Sequence, residues 1–356
     1  MYSPKFTITN DILANIGLIE AAREVIENAP LIPLYEARFV KDALLRTVHH
    51  GTHLEGNDLT LNEVKKTIEG EEIVARERDI QEVINYRNVL NFIEEQEKQH
   101  PEKGKYTQSM LKKIHELTCQ RLLEGGNLGQ YRQTQVVIKN GLTGEVTFRP
   151  PPAVEVPFLL EDFFAWLDDG QSAKINSVLR AGITHYYLVA VHPFVEGNGR
   201  TARAFATLVL FMENYDIRKF FSLEEYFDKD AFAYYQALAL VSNQSQDINE
   251  RDLTPWLGYF TQAMAVELTR IKERIKKLST DLKMKNKIGG APVPLNERQI
   301  KLMEYLQANG SITTPEARKV IPKYSDDTLV RDFNYLVKKG IIKKEGKTKA
   351  ARYVLR

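Results

Sequence analysis

Apolar residues recur at helical spacing through most of this chain. Leu34, Phe39, Ala43, Leu44 and Val48 share one face of a helix over 34–48. Gly56-Asn57 is a helix stop, and Thr60 with Glu63 makes a capping-box pattern that opens a new helix, Leu61–Glu69. Val83, Tyr86, Val89, Leu90 and Ile93 line a further helix, and Met110–Leu123 is another. The period then changes. Val136-Val137-Ile138 and Val146-Thr147-Phe148 are short β-prone runs around the glycine-bearing turn Lys139–Glu145, and Pro150-Pro151-Pro152 ends the hairpin. Helical spacing returns over Phe158–Leu167, Asn176–Val191, Arg200–Asn214, Asp230–Val241 and Thr254–Lys285. The segment Asn176–Val191 is apolar on nearly every side, the mark of a buried central helix.

Ile288–Pro294 has linker composition, and the character of the chain shifts beyond it. Three helices are predicted there: Asn296–Ala308, a short one from Thr313 or Thr314 to Val320, and Ser325–Lys339 closed by Gly340. Strands at Ile341-Ile342 and Arg352–Leu355 flank the basic stretch Lys343–Lys349. Three helices followed by a basic hairpin is the winged helix-turn-helix pattern. The chain has a formal net charge of +2, but that number hides an asymmetry. From Asn296 onward 14 basic residues face 7 acidic ones, so this segment is +7 and the remainder about −5. The predicted organisation is a helical N-terminal region over 1–110, a core over 111–287, a linker over 288–295 and a winged helix-turn-helix domain over 296–356.

Length and composition narrow the class. A chain of 356 residues with 43% hydrophobic residues can bury a sizeable core. The single cysteine, Cys119, excludes an internal disulfide and a cysteine-rich zinc site, and it favours a reducing compartment. The first residues carry no signal-peptide pattern and no run is long enough to span a bilayer. The expectation is a cytoplasmic protein without a membrane partner.

The most informative run is His192-Pro193-Phe194-Val195-Glu196-Gly197-Asn198-Gly199-Arg200-Thr201-Ala202-Arg203. A polar, glycine-containing loop between two apolar segments is costly near a core unless it binds something. Gly197-Asn198-Gly199 can turn successive N–H groups inward as an anion nest, and a helix starting near Gly199 adds its positive end. Arg200 and Arg203, three apart, can both face that nest, which suits a polyphosphate. Glu196 is a hard oxygen ligand of the kind magnesium takes beside phosphates. His192 has the ordinary pKa of a general base. Taken singly, each residue has a bland structural use. The ordered set over twelve residues points to transfer of a phosphorus-centred group from a nucleotide to an alcohol. The P-loop and dinucleotide fingerprints are absent.

The run resembles the signature of the Fic domain family, His-x-Phe-x-(Asp/Glu)-Gly-Asn-Gly-Arg-x-x-Arg, at every fixed position. The resemblance extends over roughly residues 30 to 270 and includes Gly129-Gln130-Tyr131-Arg132, the hairpin from Val136 to Phe148, Ala181 to His185, Tyr234-Tyr235 with Leu238, and Asp252–Trp256. It implies a mainly α fold: a Fic-type helical bundle with a small β-hairpin flap, followed here by the winged helix-turn-helix. It implies AMP transfer from ATP to a Ser, Thr or Tyr hydroxyl of a target protein, with release of pyrophosphate. His192 would be the general base and Phe194 the anchor of the loop. Glu196 would hold Mg2+. Gly197, Asn198 and Gly199 would cradle phosphates, and Arg200 and Arg203 would engage the β/γ end of the nucleotide. The flap residues Val136, Val137, Ile138, Val146 and Thr147 would add the target as an extra strand. Tyr234 or Tyr235 would stack on adenine. The family's kinase-like branch has Lys where this chain has Gly199.

One class of the family carries an inhibitory helix, (Ser/Thr)-x-x-x-Glu-(Gly/Asn), whose Glu pairs with the second arginine of the motif. Leu54-Glu55-Gly56-Asn57 matches its core, so an inhibitory helix near 40–57 with Glu55 against Arg203 is implied. Gly51 stands where that pattern has Ser or Thr, with Thr52 one residue later. In some relatives this Glu also supports AMP removal. His49, His50 and His53 lack a nearby cysteine or paired acid and are not read as a metal site. The C-terminal domain is open to three uses: DNA binding, protein binding or homodimerisation. The alternative reading of the whole is a DNA-binding regulator whose Fic-like domain senses a nucleotide without transferring it.

Overall fold

The structure is a computed structural model that describes residues 2–29, 31, 33–99, 105–123, 125–139, 144, 146–287, 296–322, 324–346 and 351–355. The chain divides into two compact units, Met1–Arg274 and Ile275–Arg356. The described part of the first contains α1 (Asn10–Glu27), α2 (Pro33–His53), α3 (Leu61–Glu69), α4 (Glu77–Gln99), α5 (Gln108–Cys119), β1 (Ile138–Lys139), β2 (Val146–Phe148), α6 (Val156–Leu167), α7 (Ser177–Val191), α8 (Asn198–Met212), α9 (Leu223–Lys229), α10 (Ala231–Ser242) and α11 (Thr254–Lys287), which continues past the boundary. The N-terminal helices and those after residue 110 pack as one unit, with α4 against both α5 and α8. Among the described residues no helix is long and apolar enough to cross a membrane.

The centre of this unit is the antiparallel pair α7 and α8. Nearly every residue of both is buried, as the unbroken apolar run before and after the polar loop predicts. Trp256 from α11 closes one side and donates its indole N–H to the Gly182 carbonyl at 2.7 Å. Gly182 has no side chain because Leu257 and Phe260 already fill that space. Helix α1 was not legible from periodicity. Its inward residues Ile12, Ile19, Ala22 and Ile26 are interleaved with outward-facing Leu13 and Leu18, which blurs the stripe. Helix α9, seven residues long, is too short to show a period.

Helix α2 runs on past Val48 to His53, and the chain then turns through Leu54-Glu55-Gly56, where Gly56 takes φ 92°. The Thr60–Glu63 capping box forms as read. Helix α2 is tied down by charge as well as by apolar contact. Its buried Arg46 pairs with Glu267 of α11 at 2.7 Å and with Glu225 of α9, and gives a further bond to the Phe220 carbonyl at 3.0 Å. Both acids are also held by Arg270.

In the second unit, α12 (Glu297–Asn309), β3 (Ser311–Thr313), α13 (Thr314–Val320), α14 (Asp326–Lys338), β4 (Ile342–Glu345) and β5 (Arg352–Leu355) follow in order. The strands form an antiparallel sheet in the order β3-β5-β4. The strand β3 adds to the two that were expected. It pairs with β5 through Ile312, whose partner is Tyr353. Asn296 and Thr313 each close a capping box, and the unit has its own core around Leu302, Leu306, Leu329, Phe333 and Leu336. Phe333 and Tyr353 stack at 4.0 Å. The expected linker and the centre of the expected basic loop lie outside the described residues.

Replacing Arg46 with Ala removes the buried cation shared by Glu225 and Glu267 and leaves both to the partly exposed Arg270. Loss of one partner from such a network costs about 3–5 kcal/mol. A fall of that size in unfolding free energy is expected from urea titration followed by tryptophan fluorescence, against a small change for the exposed Arg76→Ala.

Candidate active site

The polar loop is held by its own side chains. Asn198 makes a two-way clamp on the backbone of Phe194: its Oδ1 accepts from the Phe194 N–H at 2.9 Å and its Nδ2 donates to the Phe194 carbonyl at 2.8 Å. The Asn198 side chain is therefore spent on shaping the loop. Only the backbone N–H groups of Asn198 and its neighbours are left for an anion, at the N-terminus of α8. Phe194 is fully buried and stacks on His115 of α5 at 3.8 Å. The His115 ring also has a fixed orientation. Its Nδ1 accepts from the Gly129 N–H at 3.0 Å, so its Nε2 carries the proton donated to the Glu196 carbonyl at 3.0 Å. Burial pushes the His115 pKa down to about 4, so the ring stays neutral. Gly197 takes φ 75°, and a Cβ there would lie 2.5 Å from the Cys119 thiol. Cys119 is thus a packing residue, with a thiol pushed up to about 11 by burial.

Glu55 reaches into this loop from the turn after α2. Its carboxylate accepts from Arg203 Nη2 at 2.7 Å, and the same nitrogen donates to the Gly51 carbonyl at 3.0 Å. A Cβ on Gly199 would lie 2.3 Å from Glu55 Oε1. The acid therefore sits directly over the glycine that opens the nest. Arg203 is 3% exposed. Burial opposes the Glu55 charge, but Arg203 and then Arg200 outweigh it and hold the carboxyl below the usual carboxylate range. Because the folded value is depressed, the pair's stabilisation is present above the ordinary carboxylate pKa and is lost as pH falls through the depressed one.

The departure at Gly51 has a steric cause. A Cβ there would stand 2.5 Å from Cε1 of the fully buried Tyr86 ring of α4. The Tyr86 hydroxyl bonds to the buried Glu224 of α9 at 3.0 Å, which pins the ring in place. A Ser or Thr at 51 has no room. Thr52, one residue on, turns its hydroxyl back to the Val48 carbonyl at 2.9 Å.

Arg200 has a separate partner that the sequence did not reveal. Its Nη1 lies 3.2 Å from Glu82 of α4, and its Nε and Nη1 have no hydrogen-bond partner although the residue is buried. A buried guanidinium with a donor left unpaired suits an incoming phosphate. Glu82 also accepts from Asn57 Nδ2 at 3.0 Å, which connects the turn after α2 to the first motif arginine. Glu196 is partly exposed and pairs with Arg78 of α4. Among the described residues no group of three His, Cys, Asp or Glu side chains can hold a metal. Glu196 alone fits a hydrated ion that takes its other ligands from phosphates, and that ion must displace Arg78.

His192 ends α7 in a left-handed conformation, φ 52° and ψ 60°. Its Nδ1 is 3.2 Å from the Val189 carbonyl, which can only accept. Nδ1 therefore carries the proton and Nε2 the lone pair, as a general base requires. Burial depresses its pKa; the Val189 carbonyl and Glu55 act against that shift and Arg132 with it. Tyr234 is 1% exposed and its hydroxyl meets His185 Nε2 at 3.2 Å. It belongs to the core and has no free face for adenine. Tyr235 is half exposed, beside the turn after α2, with its hydroxyl donating to the Leu54 carbonyl at 3.3 Å. The hairpin is shorter than expected. Ile138 pairs with Phe148 and Lys139 with Val146, while Val136 and Val137 lie outside β1, and Thr147 lies within β2. Most of the expected turn lies outside the described residues. The fold also brings Asp228 of α9 to His50 and His53, at 2.7 and 2.8 Å.

Several of these residues carried no usable sequence signal. Glu82, Arg78, Tyr86 and His115 are ordinary helical residues until tertiary packing brings them to the loop. Arg132 belongs to the Gly129–Arg132 run, in which the resemblance gives it no role. The Gly51 packing supports a specific expectation: Gly51→Ser drives an atom into the Tyr86 ring, and overpacking of this kind costs about 1–3 kcal/mol. A lower urea midpoint for that variant, and a smaller loss in Gly51→Ser/Tyr86→Leu, is the expected result.

Comparison with known proteins bears on this geometry. The Fic/DOC family matches residues 105–210, which include the whole loop. The chain is 31% identical over 186 residues to the protein adenylyltransferase fic-1 of Caenorhabditis elegans, covering 49% of this chain and 33% of that protein. It is 29% identical over 188 residues to the protein adenylyltransferase Fic of Drosophila grimshawi, covering 50% and 35%. The chain thus spans about a third of the length of these curated relatives. The crystal structure of a Fic family protein from Desulfovibrio desulfuricans G20 shares its fold, with a TM-score of 0.69 at 23% identity over 100% of this chain and 98% of that one. Residues 105–210 of this chain are a Fic domain of the Fic/DOC family.

Proposed function

We propose that the chain is a protein adenylyltransferase kept largely inactive by Glu55. One observation carries the reading: the Glu55 carboxylate lies over Gly199, 2.7 Å from Arg203, inside an otherwise intact anion nest. A carboxylate there takes the guanidinium a phosphate needs and repels that phosphate. Once Glu55 withdraws, the backbone of 197–199, Arg200 and Arg203 receive the β/γ end of ATP. A target hydroxyl, carried on a segment added to the hairpin edge, attacks the α-phosphorus. His192 Nε2 accepts the hydroxyl proton as the new P–O bond forms and the bond to pyrophosphate breaks. Glu196 is the residue that would hold Mg2+, which when bound neutralises phosphate charge. The target is a protein with an exposed Ser, Thr or Tyr. Tyr235 is the tyrosine of the pair with a ring face free for adenine.

The single cysteine favours a cytoplasmic setting. A second reading concerns the C-terminal unit. Its +7 charge over 296–356, on a helical unit with a three-stranded sheet, favours a winged helix that contacts DNA. The acidic Asp326 and Asp327 at the start of α14 leave that contact to Arg331, Lys338 and the basic strand β4. A salt-sensitive mobility shift by the full chain on DNA, without any nucleotide transfer, would favour a DNA-binding regulator.

Incubation with labelled ATP, GTP and UTP separates these readings. A charge-assisted contact is worth about 1.5–3 kcal/mol, so Glu55→Gly is expected to bind ATP about ten- to hundred-fold more tightly and to label itself more strongly. His192→Ala introduced into Glu55→Gly is expected to abolish labelling while nucleotide binding persists. Equal labelling of Glu55→Gly and wild type, or labelling that survives loss of His192, would sink the proposal. The pH profile is a further check. A histidine with a depressed pKa stays unprotonated at neutral pH, so the rate of Glu55→Gly should fall only below the ordinary value of about 6.5.

A further inference from the structure

Arg132 is 3% exposed and lies in the loop before β1. Its guanidinium has no carboxylate among its hydrogen-bond partners. Every bond it makes goes to a backbone carbonyl. Nε donates to His192 at 2.8 Å, and Nη2 donates to Val191 at 3.3 Å, at the end of α7. Nη1 donates to Thr134 at 3.4 Å, before β1, and Nη2 also donates to Pro151, after β2. The backbone N–H of Arg132 adds a bond to the Pro193 carbonyl at 2.9 Å. One side chain therefore joins the residue read as general base to both feet of the hairpin. Gln135 provides a weaker cross-tie, from its Nε2 to the Pro150 carbonyl at 3.0 Å.

A buried cation without a counter-ion is costly, and burial does lower the Arg132 pKa. A purely structural tie could be made more cheaply by an amide or by apolar packing. The fork of a guanidinium is needed when several carbonyls on different segments must be fixed at once. Two β-strands this short cannot hold a register alone, because a two-stranded hairpin is marginal in water. Something outside the hairpin must set it.

We propose that Arg132 is a positioning residue that locks the hairpin to the carbonyls of Val191 and His192, so that the docked hydroxyl and the His192 base are held in one frame. This rests on the adenylyltransferase reading for its catalytic consequence, but its mechanical part does not. The charge has a second effect. The groups that act on the His192 ring are the Val189 carbonyl of α7, Glu55 from the turn after α2, and Arg132. Arg132 is the one cation among them, and it favours the neutral ring.

The test uses the full chain carrying Glu55→Gly, with Arg132→Lys and Arg132→Gln added separately. Lys keeps the charge but offers a single point of donation. Hydrogen exchange at Ile138, Val146 and Phe148 is expected to speed up at least about ten-fold in both variants, while the amides of α7 stay protected. Transfer should fall about hundred-fold, the usual scale for misplacement by an ångström, with affinity for an ATP analogue changed less than about two-fold. The acid limb of the pH profile should move upward in Arg132→Gln and stay in place in Arg132→Lys. Hairpin exchange as slow as in the parent would overturn the proposal. So would nucleotide affinity falling in step with transfer, or failure of both variants to fold, which would make Arg132 a core residue. If the parent itself transfers no nucleotide, the adenylyltransferase reading fails, and the exchange measurement still decides the mechanical link.

Discussion

A guanidinium buried at the heart of a helical bundle must have a partner, and Arg203 sets that demand for this protein. The residue lies within α8, surrounded by Tyr86, Tyr234 and the end of α2. An unpaired charge in that position would cost several kcal/mol. Glu55 meets the demand and in doing so fills space beside Gly199. The same requirement acts on both states of the site. Either the chain's own carboxylate or a phosphate from outside must be there. On the proposed reading, self-inhibition follows from burying the arginine that would bind phosphate, and it needs no separate device.

This constraint explains the care with which α2 is fixed. A competing carboxylate is effective only if its backbone is held, and α2 is held along its length. Arg46 locks its middle to α9 and α11, His50 and His53 meet Asp228, and Gly51 rests against the Tyr86 ring. Asn57 then ties the following turn to Glu82, which also faces Arg200. The two arginines of the loop are thus balanced by two acids, one from the turn after α2 and one from α4. The loop itself contributes shape through the Asn198 clamp and the Phe194–His115 stack, so the charges act on a frame that does not depend on them.

Much of the local architecture could be read from the chain before folding. The capping box read at Thr60 uses contacts within four residues, so its signal is local and it forms, and the helix starts expected at Asn296 and at Thr313 or Thr314 also close as capping boxes, the latter at Thr313. The buried α7–α8 pair follows from two apolar runs around a polar loop. Helix α1 was hidden because it exposes apolar residues, α9 because it is short, and β3 because three residues carry no period. Tyr234 and Tyr235 show the limit well. Adjacent in sequence and identical in type, they differ in exposure from 1% to 50% because successive helical residues point about 100° apart.

The sequence by itself determined the chemistry available: a histidine, a carboxylate, an anion nest and two arginines in fixed order, and a glutamate far upstream able to oppose them. These are properties of residue type and short spacing, which survive without coordinates. Only the tertiary structure decided how the parts are committed. It spent Asn198 on the loop, gave Arg200 to Glu82 and Glu196 to Arg78, explained Gly51 by a ring from α4, and ran Arg132 between the base and the hairpin. Apart from the Asn198 clamp, which spans four residues, each of these depends on groups tens to more than a hundred residues apart meeting in a close-packed interior, and no local pattern encodes that meeting.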